Sequence, residues 1–284
     1  MAIDSPGLQA PALKRRAAIA APRRFGRVNW LGTATLYRRE MKRSQKDYID
    51  GLLGPALTSL LMILIFKVAA GGPGTNSTVT AGGLPLVDFV APGLLMYAAG
   101  ERAFSGACSF LIFDKLEGII GDVVMAPLSA AERLSAYAAA AVSAGILAAL
   151  ASAALLYPFV NLAIASLPAL LYFAIAGTLM LALLGILAGL WAERWEHFAA
   201  LLTYFLVPFS YLSGMFYSVA GLPAIGRRLI AVNPLFYMID GLRYGLTGKA
   251  ESDLWTGVAV ILAIDLLLVA LLYRLFRRGW RLKA

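Results

Sequence analysis

Long apolar blocks, rather than alternating apolar and polar positions, dominate this chain. Runs near 51–70, 88–112, 133–157, 168–191, 198–219 and 254–274 are separated by shorter polar stretches. Each is about the ~20 residues that a membrane-crossing helix requires. They predict six transmembrane helices and an all-α integral membrane protein. The third and fourth runs are dense in Ala, Gly and Ser, which lets helices approach closely. Ahead of the first run, residues 28–49 have a helical period. Trp30, Ala34, Tyr37, Met41 and Tyr48 share one face, and Arg38, Arg39, Lys42, Arg43 and Lys46 crowd the others. That predicts an interfacial helix with aromatic rings inward and cations toward anionic membrane lipids. Residues 1–27, rich in Ala, Pro, Lys and Arg, predict a disordered basic tail and no signal peptide.

Two polar-marked stretches interrupt the spans. In Asp114 to Arg133, Leu116, Ile119, Ile120, Val123 and Val124 fall on one helical stripe. Asp114, Lys115, Glu117 and Asp122 fill the remaining arc. Pro127 cannot continue that helix, and Ser129 with Glu132 has the spacing of a capping box. A short amphipathic surface helix followed by a stiff elbow is therefore expected. It serves either as a lever for a partner in the water or as a plain interfacial loop. From Ser210 to Leu246, Pro223 and Pro234 cut an apolar segment into pieces too short to cross the bilayer. These predict a re-entrant or interfacial helical hairpin. Asn233-Pro234 marks its turn, and Asp240 and Arg243, three apart, can pair on one helical face.

Composition agrees with the class: 60% hydrophobic and 14% charged residues, with a mean hydropathy of +0.76. A soluble domain is nearer half apolar and a quarter charged. The net charge of +9 is thus read by position and not as a nucleic-acid footprint. Lys and Arg crowd the first 50 residues, and Arg274, Arg277, Arg278, Arg281 and Lys283 crowd the last. With six spans, the positive-inside rule puts both tails in the cytoplasm. The 114–133 stretch and the Glu193–His197 turn share that side, and the Gly71–Pro85 loop and the Val219–Asp253 segment face outward.

Candidate chemistry is sparse. Cys108 is the only cysteine and His197 the only histidine. No metal site, cofactor site or catalytic cluster is expected, and no G-x-x-x-x-G-K-[ST] phosphate loop occurs. Glu101 and Arg102 in the second span and Asp265 in the sixth are ionisable residues within apolar runs. Such residues either line a path or hydrogen-bond between helices. Tyr204, Phe209, Tyr211 and Phe216 give the fifth span and its exit an aromatic lining, for packing or for an amphiphile path.

The order of S-G-M-F at Ser213–Phe216, L-P at Leu222–Pro223, N-P-L-F-Y at Asn233–Tyr237 and D-G-L-R-Y-G at Asp240–Gly245 resembles ABC-2-type transporter permeases. So do A-P-G-L-L-M at Ala91–Met96 and K-L-E-G-I-I-G-D-V-V-M-A-P-L-S at Lys115–Ser129. The likeness spans residues 30–280. It is greatest to nodulation-factor, polysaccharide and drug exporter permeases.

The resemblance implies a permease dimer, expected to be a homodimer, docked on separate ABC-type ATPase subunits that bind ATP and Mg. Contacts with the ATPase would come from the N-terminal helix, with Arg39 and Arg43, and from a coupling helix centred on Leu116–Met125. That helix carries Leu116, Glu117, Gly118, Ile120, Asp122 and Met125. Gly214, Pro223, Asn233, Pro234, Asp240 and Arg243 would form the signature hairpin. The implied cargo is a lipid, a lipid-linked glycan or an amphipathic drug. An ion-coupled transporter would show paired acids in broken helices, and a lipid-modifying enzyme would show a nucleophile and base. The sequence offers neither pattern.

Overall fold

The computed structural model describes residues 28–46, 49–70 and 80–281. The basic tail expected at 1–27 and most of the Gly71–Pro85 loop lie outside the described residues. Among the described residues the regular structure is helical apart from a two-residue ladder, β1 (Thr80–Ala81) with β2 (Leu84–Pro85). Gly82 and Gly83 both take positive φ in its turn, as a tight hairpin requires.

The helices are α1 (Trp30–Lys46), α2 (Gly54–Ala69), α3 (Leu86–Leu116), α4 (Ile120–Met125), α5 (Ala130–Leu156) and α6 (Leu167–Trp191). The rest are α7 (Trp195–Leu201), α8 (Val207–Tyr211), α9 (Ala224–Val232), α10 (Pro234–Thr247) and α11 (Leu254–Arg278). Among the described residues four segments are long and apolar enough to cross a membrane: Gly51–Ala69, Ala130–Leu156, Leu167–Trp191 and Leu254–Arg278. α3 is longer than any of these at 31 residues, but its apolar run is punctuated by Asp88, Glu101, Arg102, Asp114 and Lys115. The fifth expected span is a run from Trp195 to Tyr211, α7 and α8 joined by the π-helical turn Leu202–Leu206. It stops before the expected 219. Beyond it the chain turns irregular toward Gly214, whose φ is +69°.

α3 is the axis of the bundle. It packs against α6, α5, α10 and α2, and twenty of its residues are buried. Small residues make this possible: a Cβ at Gly185 of α6 would overlap the Phe104 carbonyl oxygen, and one at Gly189 would lie 2.8 Å from the Cys108 carbonyl oxygen. Cys108 itself is fully buried in this packing. Lys115 closes the end of the α3–α6 pair. Its Nζ donates to the carbonyls of Gly189 (2.8 Å), Leu190 (2.6 Å) and Ala192 (2.9 Å), where α6 runs out of partners for its last oxygens.

Three expectations need correction. The helix read continuously from Asp114 is two helices. Gly118 takes φ +70°, so Asp114, Lys115 and Leu116 finish α3, Glu117 and Gly118 form the break, and only Ile120–Met125 make α4. Nor are Asp114 and Lys115 on a solvated arc, since Asp114 is 0% exposed and Lys115 grips α6. In α1, Trp30 points outward at 75% exposure. The buried line is Asn29, Leu36, Glu40 and Ser44, with Tyr37 and Met41 packed beside it. Finally, the segment after Gly214 does hold two short helices with their break at Asn233. The second, α10, is not superficial: it is wedged among α3, α6 and α11, with eleven buried residues.

Candidate functional site

Two regions collect the candidate residues. The first is the end of the bundle where α1, α4 and the elbow into α5 meet. Ser129 forms the capping box with Glu132, its Oγ receiving the Glu132 N–H at 3.3 Å and its own N–H reaching Glu132 Oε2 at 2.7 Å. The other Glu132 oxygen accepts the Asn29 N–H, and Asn29 Nδ2 donates to the Pro127 carbonyl at 3.0 Å. The elbow and the start of α1 are therefore fastened together.

Farther along α1, Arg39 Nη2 donates to Asp114 Oδ2 at 2.6 Å and Arg43 Nη1 to Asp114 Oδ1 at 3.0 Å. Tyr137 of α5 adds its hydroxyl to Asp114 at 2.9 Å. Glu40 receives both arginines too, Arg39 Nε at 2.6 Å and Arg43 Nη1 at 3.4 Å. Burial works against the Arg39 charge, but Glu40 and Asp114 outweigh it and hold the guanidinium above its ordinary range. Burial pushes the Glu40 carboxyl up, with Arg39 pulling the other way. Arg39 and Arg43 thus face carboxylates of their own chain.

α4 presents a different surface. Ile120 and Val123 are buried, whereas Val124 and Met125 are exposed, Met125 to 78%. Asp122 and Glu117 are also exposed; Glu117 stands 3.7 Å from Arg43. A cleft of about 360 Å³ runs between α1 and α4, bordered by Leu31, Leu36, Arg39, Asp122, Val123 and Leu128. This end of the molecule is thus a braced support with an apolar edge.

The second region is a cleft of about 480 Å³ beside α2, reaching α3 and the turn after α8. Glu101, Arg102, Tyr211 and Phe216 converge on it, with Tyr97, Met62, Leu94 and Met215. Tyr204 does not join them; it points away at 80% exposure. Phe209 borders a separate groove of about 340 Å³ under α9. Arg102 donates from Nη2 to the Ser44 hydroxyl (2.7 Å) and carbonyl (3.3 Å). Glu101 Oε1 accepts from Ser105 Oγ at 3.0 Å.

Asp240 and Arg243 belong to neither region. Both are 1% exposed and lie 3.1 Å apart. Asp240 also accepts from the backbone N–H groups of Glu251 and Ser252 and the Ser252 hydroxyl. Arg243 donates to the carbonyls of Phe89 (3.2 Å) and Gly214 (3.0 Å) and lies on the Phe89 ring. Asn233 caps α10 through Leu235 N and holds the Phe209 carbonyl at 2.9 Å. These side chains are a keystone that ties α10 to α3 and to the turn after α8. Asp265, on the buried face of α11, has an Oδ1 without a hydrogen-bond partner among the described residues.

A family model described as ABC-2 type transporter matches residues 32–247. The inner membrane transport permease YadH of Escherichia coli (strain K12) is 25% identical over 255 residues, covering 90% of this chain and 98% of that protein. The proteins of the same name in Escherichia coli O157:H7 and Shigella flexneri match with equal identity and coverage.

Proposed function

This chain belongs to the ABC-2 type transporter family, and from that premise we propose that it is the membrane permease of an ABC exporter. It works as a homodimer, and the ATP and Mg sit on separate ATPase subunits. In this reading the chain crosses the inner membrane six times, with α3 and the α7–α8 run as the second and fifth spans and both termini cytoplasmic. α9 and α10 form the outer hairpin, with α10 entering the bundle from that side. The cleft along α2, α3 and the turn after α8 is part of the path of an amphiphile: a lipid, a lipid-linked glycan or an amphipathic drug.

The observation that carries the proposal is the construction of the α1–α4 end. Apolar Val124 and Met125 are left bare on a helix whose support is cross-braced to α3 and α5 by Asp114, Arg39, Arg43, Tyr137 and Glu132. Such an arrangement suits a surface that receives force from a partner rather than one that floats on lipid. The test is copurification from native membranes. A tagged full-length chain should bring down a polypeptide with a phosphate-binding loop. The Val124→Asp/Met125→Asp variant should lose it with unchanged thermal stability. Full recovery of the ATPase by that variant would remove α4 from the contact, and failure of the wild-type chain to recover any would refute the reading.

A further inference from the structure

We propose that the cleft beside α2 is a binding site for amphipathic organic cations, with Glu101 as the counter-charge. The argument starts from the two neighbouring charges, which are used differently. The Arg102 guanidinium is occupied as a strut: Nη2 is bonded to Ser44, and the group lies so close to Gly51 that a Cβ there would stand 2.6 and 2.7 Å from its terminal nitrogens. Its Nε is buried, without a hydrogen-bond partner among the described residues. Glu101 meets only a hydroxyl one turn along its own helix, Ser105. It forms no salt bridge among the described residues, and it lines the cleft. Neither charge has a salt-bridge partner among the described residues, but the Arg102 terminal nitrogens are taken up by Ser44 and the packing on Gly51, whereas the Glu101 carboxyl is held by one hydroxyl.

The rest of the lining suits a lipophilic cation. Tyr97, Tyr211 and Phe216 surround the carboxylate's cleft together with Met62, Leu94 and Met215. Tyr211 and Phe216 meet edge to face at 5.5 Å, and Phe66 stacks behind Phe216 at the same distance, so the aromatic wall is held in place. Aromatic faces and thioethers attract cations and apolar groups but reject a second anion. Thr58 and Met62 belong to the span Gly51–Ala69, which sets the cleft at membrane level. There a carboxylate with no partner is costly, and a ligand cation offsets that cost more strongly than it would in water. A volume of about 480 Å³ falls in the range that holds drug-sized molecules. The role of the site in transport rests on the permease reading above; binding itself is testable without it.

The probes are tetraphenylphosphonium and tetraphenylborate, near-identical in shape and opposite in charge, each measured separately by equilibrium dialysis against the purified full-length chain in detergent. The wild-type chain should bind the cation at least about tenfold more tightly than the anion. Glu101→Gln should weaken cation binding at least about tenfold, with elution volume and melting temperature retained. Tyr211→Ala, which removes a ring already half in the open, should weaken it several-fold without a fold defect. Undiminished cation binding by Glu101→Gln, equal or tighter binding of the anion, or no binding of either probe overturns the proposal. ATPase copurification is scored on the same preparations. A chain that recovers the ATPase but ignores the cation sinks this site alone, and one that binds the cation through Glu101 but recovers no ATPase sinks the permease reading alone.

Discussion

Replacing Asp114 with Asn isolates the brace between α1 and the bundle. The side chain is fully buried and accepts three bonds, from Arg39, Arg43 and Tyr137. Asparagine keeps the volume but loses the charge, and its NH2 group must face one of the guanidinium groups. Removing one partner of a buried ion pair costs about 3–5 kcal/mol. Arg39 and Arg43 are 33% and 22% exposed and retain Glu40, so water and the second carboxylate recover part of this. The expected net loss is about 2–3 kcal/mol. For a chain of this size each kcal/mol corresponds to ~2–4 °C, so the melting temperature in detergent should fall by roughly 4–12 °C. Asp122→Asn, on the exposed side of α4, is the matched control and should leave it unchanged. The same Asp114 substitution in an Arg39→Gln background should cost less, because the two changes remove one interaction. A melting temperature for Asp114→Asn within about 1 °C of wild type, or strictly additive effects, would show that the network carries no stability.

Helix contact at Gly185 should prove far stricter than at Gly121, where a Cβ would enter open space. Gly185→Ala drives a Cβ into the fixed Phe104 carbonyl and should cost about 1–3 kcal/mol, whereas Gly121→Ala meets nothing within 4 Å and should be neutral or slightly stabilising; equal melting temperatures would refute the packing argument. Asp240→Asn strips the charge facing Arg243 at 3.1 Å, with both residues 1% exposed. It should abolish a monodisperse peak in size-exclusion chromatography, while the Asp240→Asn/Arg243→Met double variant recovers part of it; a normal peak for the single variant would overturn the keystone role.

Features that depend on neighbours a few residues apart were legible in the sequence. The capping box at Ser129 and Glu132, the stop at Pro127, the break at Asn233-Pro234 and the Asp240–Arg243 pair all follow from local spacing. Of the six spans expected from the long apolar runs, four are segments of span length and apolarity among the described residues. What escaped depends on contacts across the fold. Glu40 looks like one charge among several, and only the approach of Asp114, 74 residues away, explains why two arginines converge there. The arginines beside it, RREMKR, were a usable signal for an internal ion cluster. Gly118 sits inside an otherwise helical stripe, and nothing local distinguishes a tolerated glycine from one with positive φ. Among the path candidates, periodicity could not separate Tyr211 and Phe216, which face the cleft, from Tyr204, which faces away.

Several of the fastenings between distant parts of this fold are one-sided. Lys115 grips three main-chain oxygens of α6 and its exit, Arg243 grips those of Phe89 and Gly214, and Asn233 grips that of Phe209. A main-chain oxygen is present whatever residue bears it. Each clasp therefore constrains one position during divergence and leaves the chemical identity at the other end free. Substitutions at its two ends need not compensate each other. Paired-substitution statistics across relatives should therefore be weak at these junctions, even though the junctions hold the helices together.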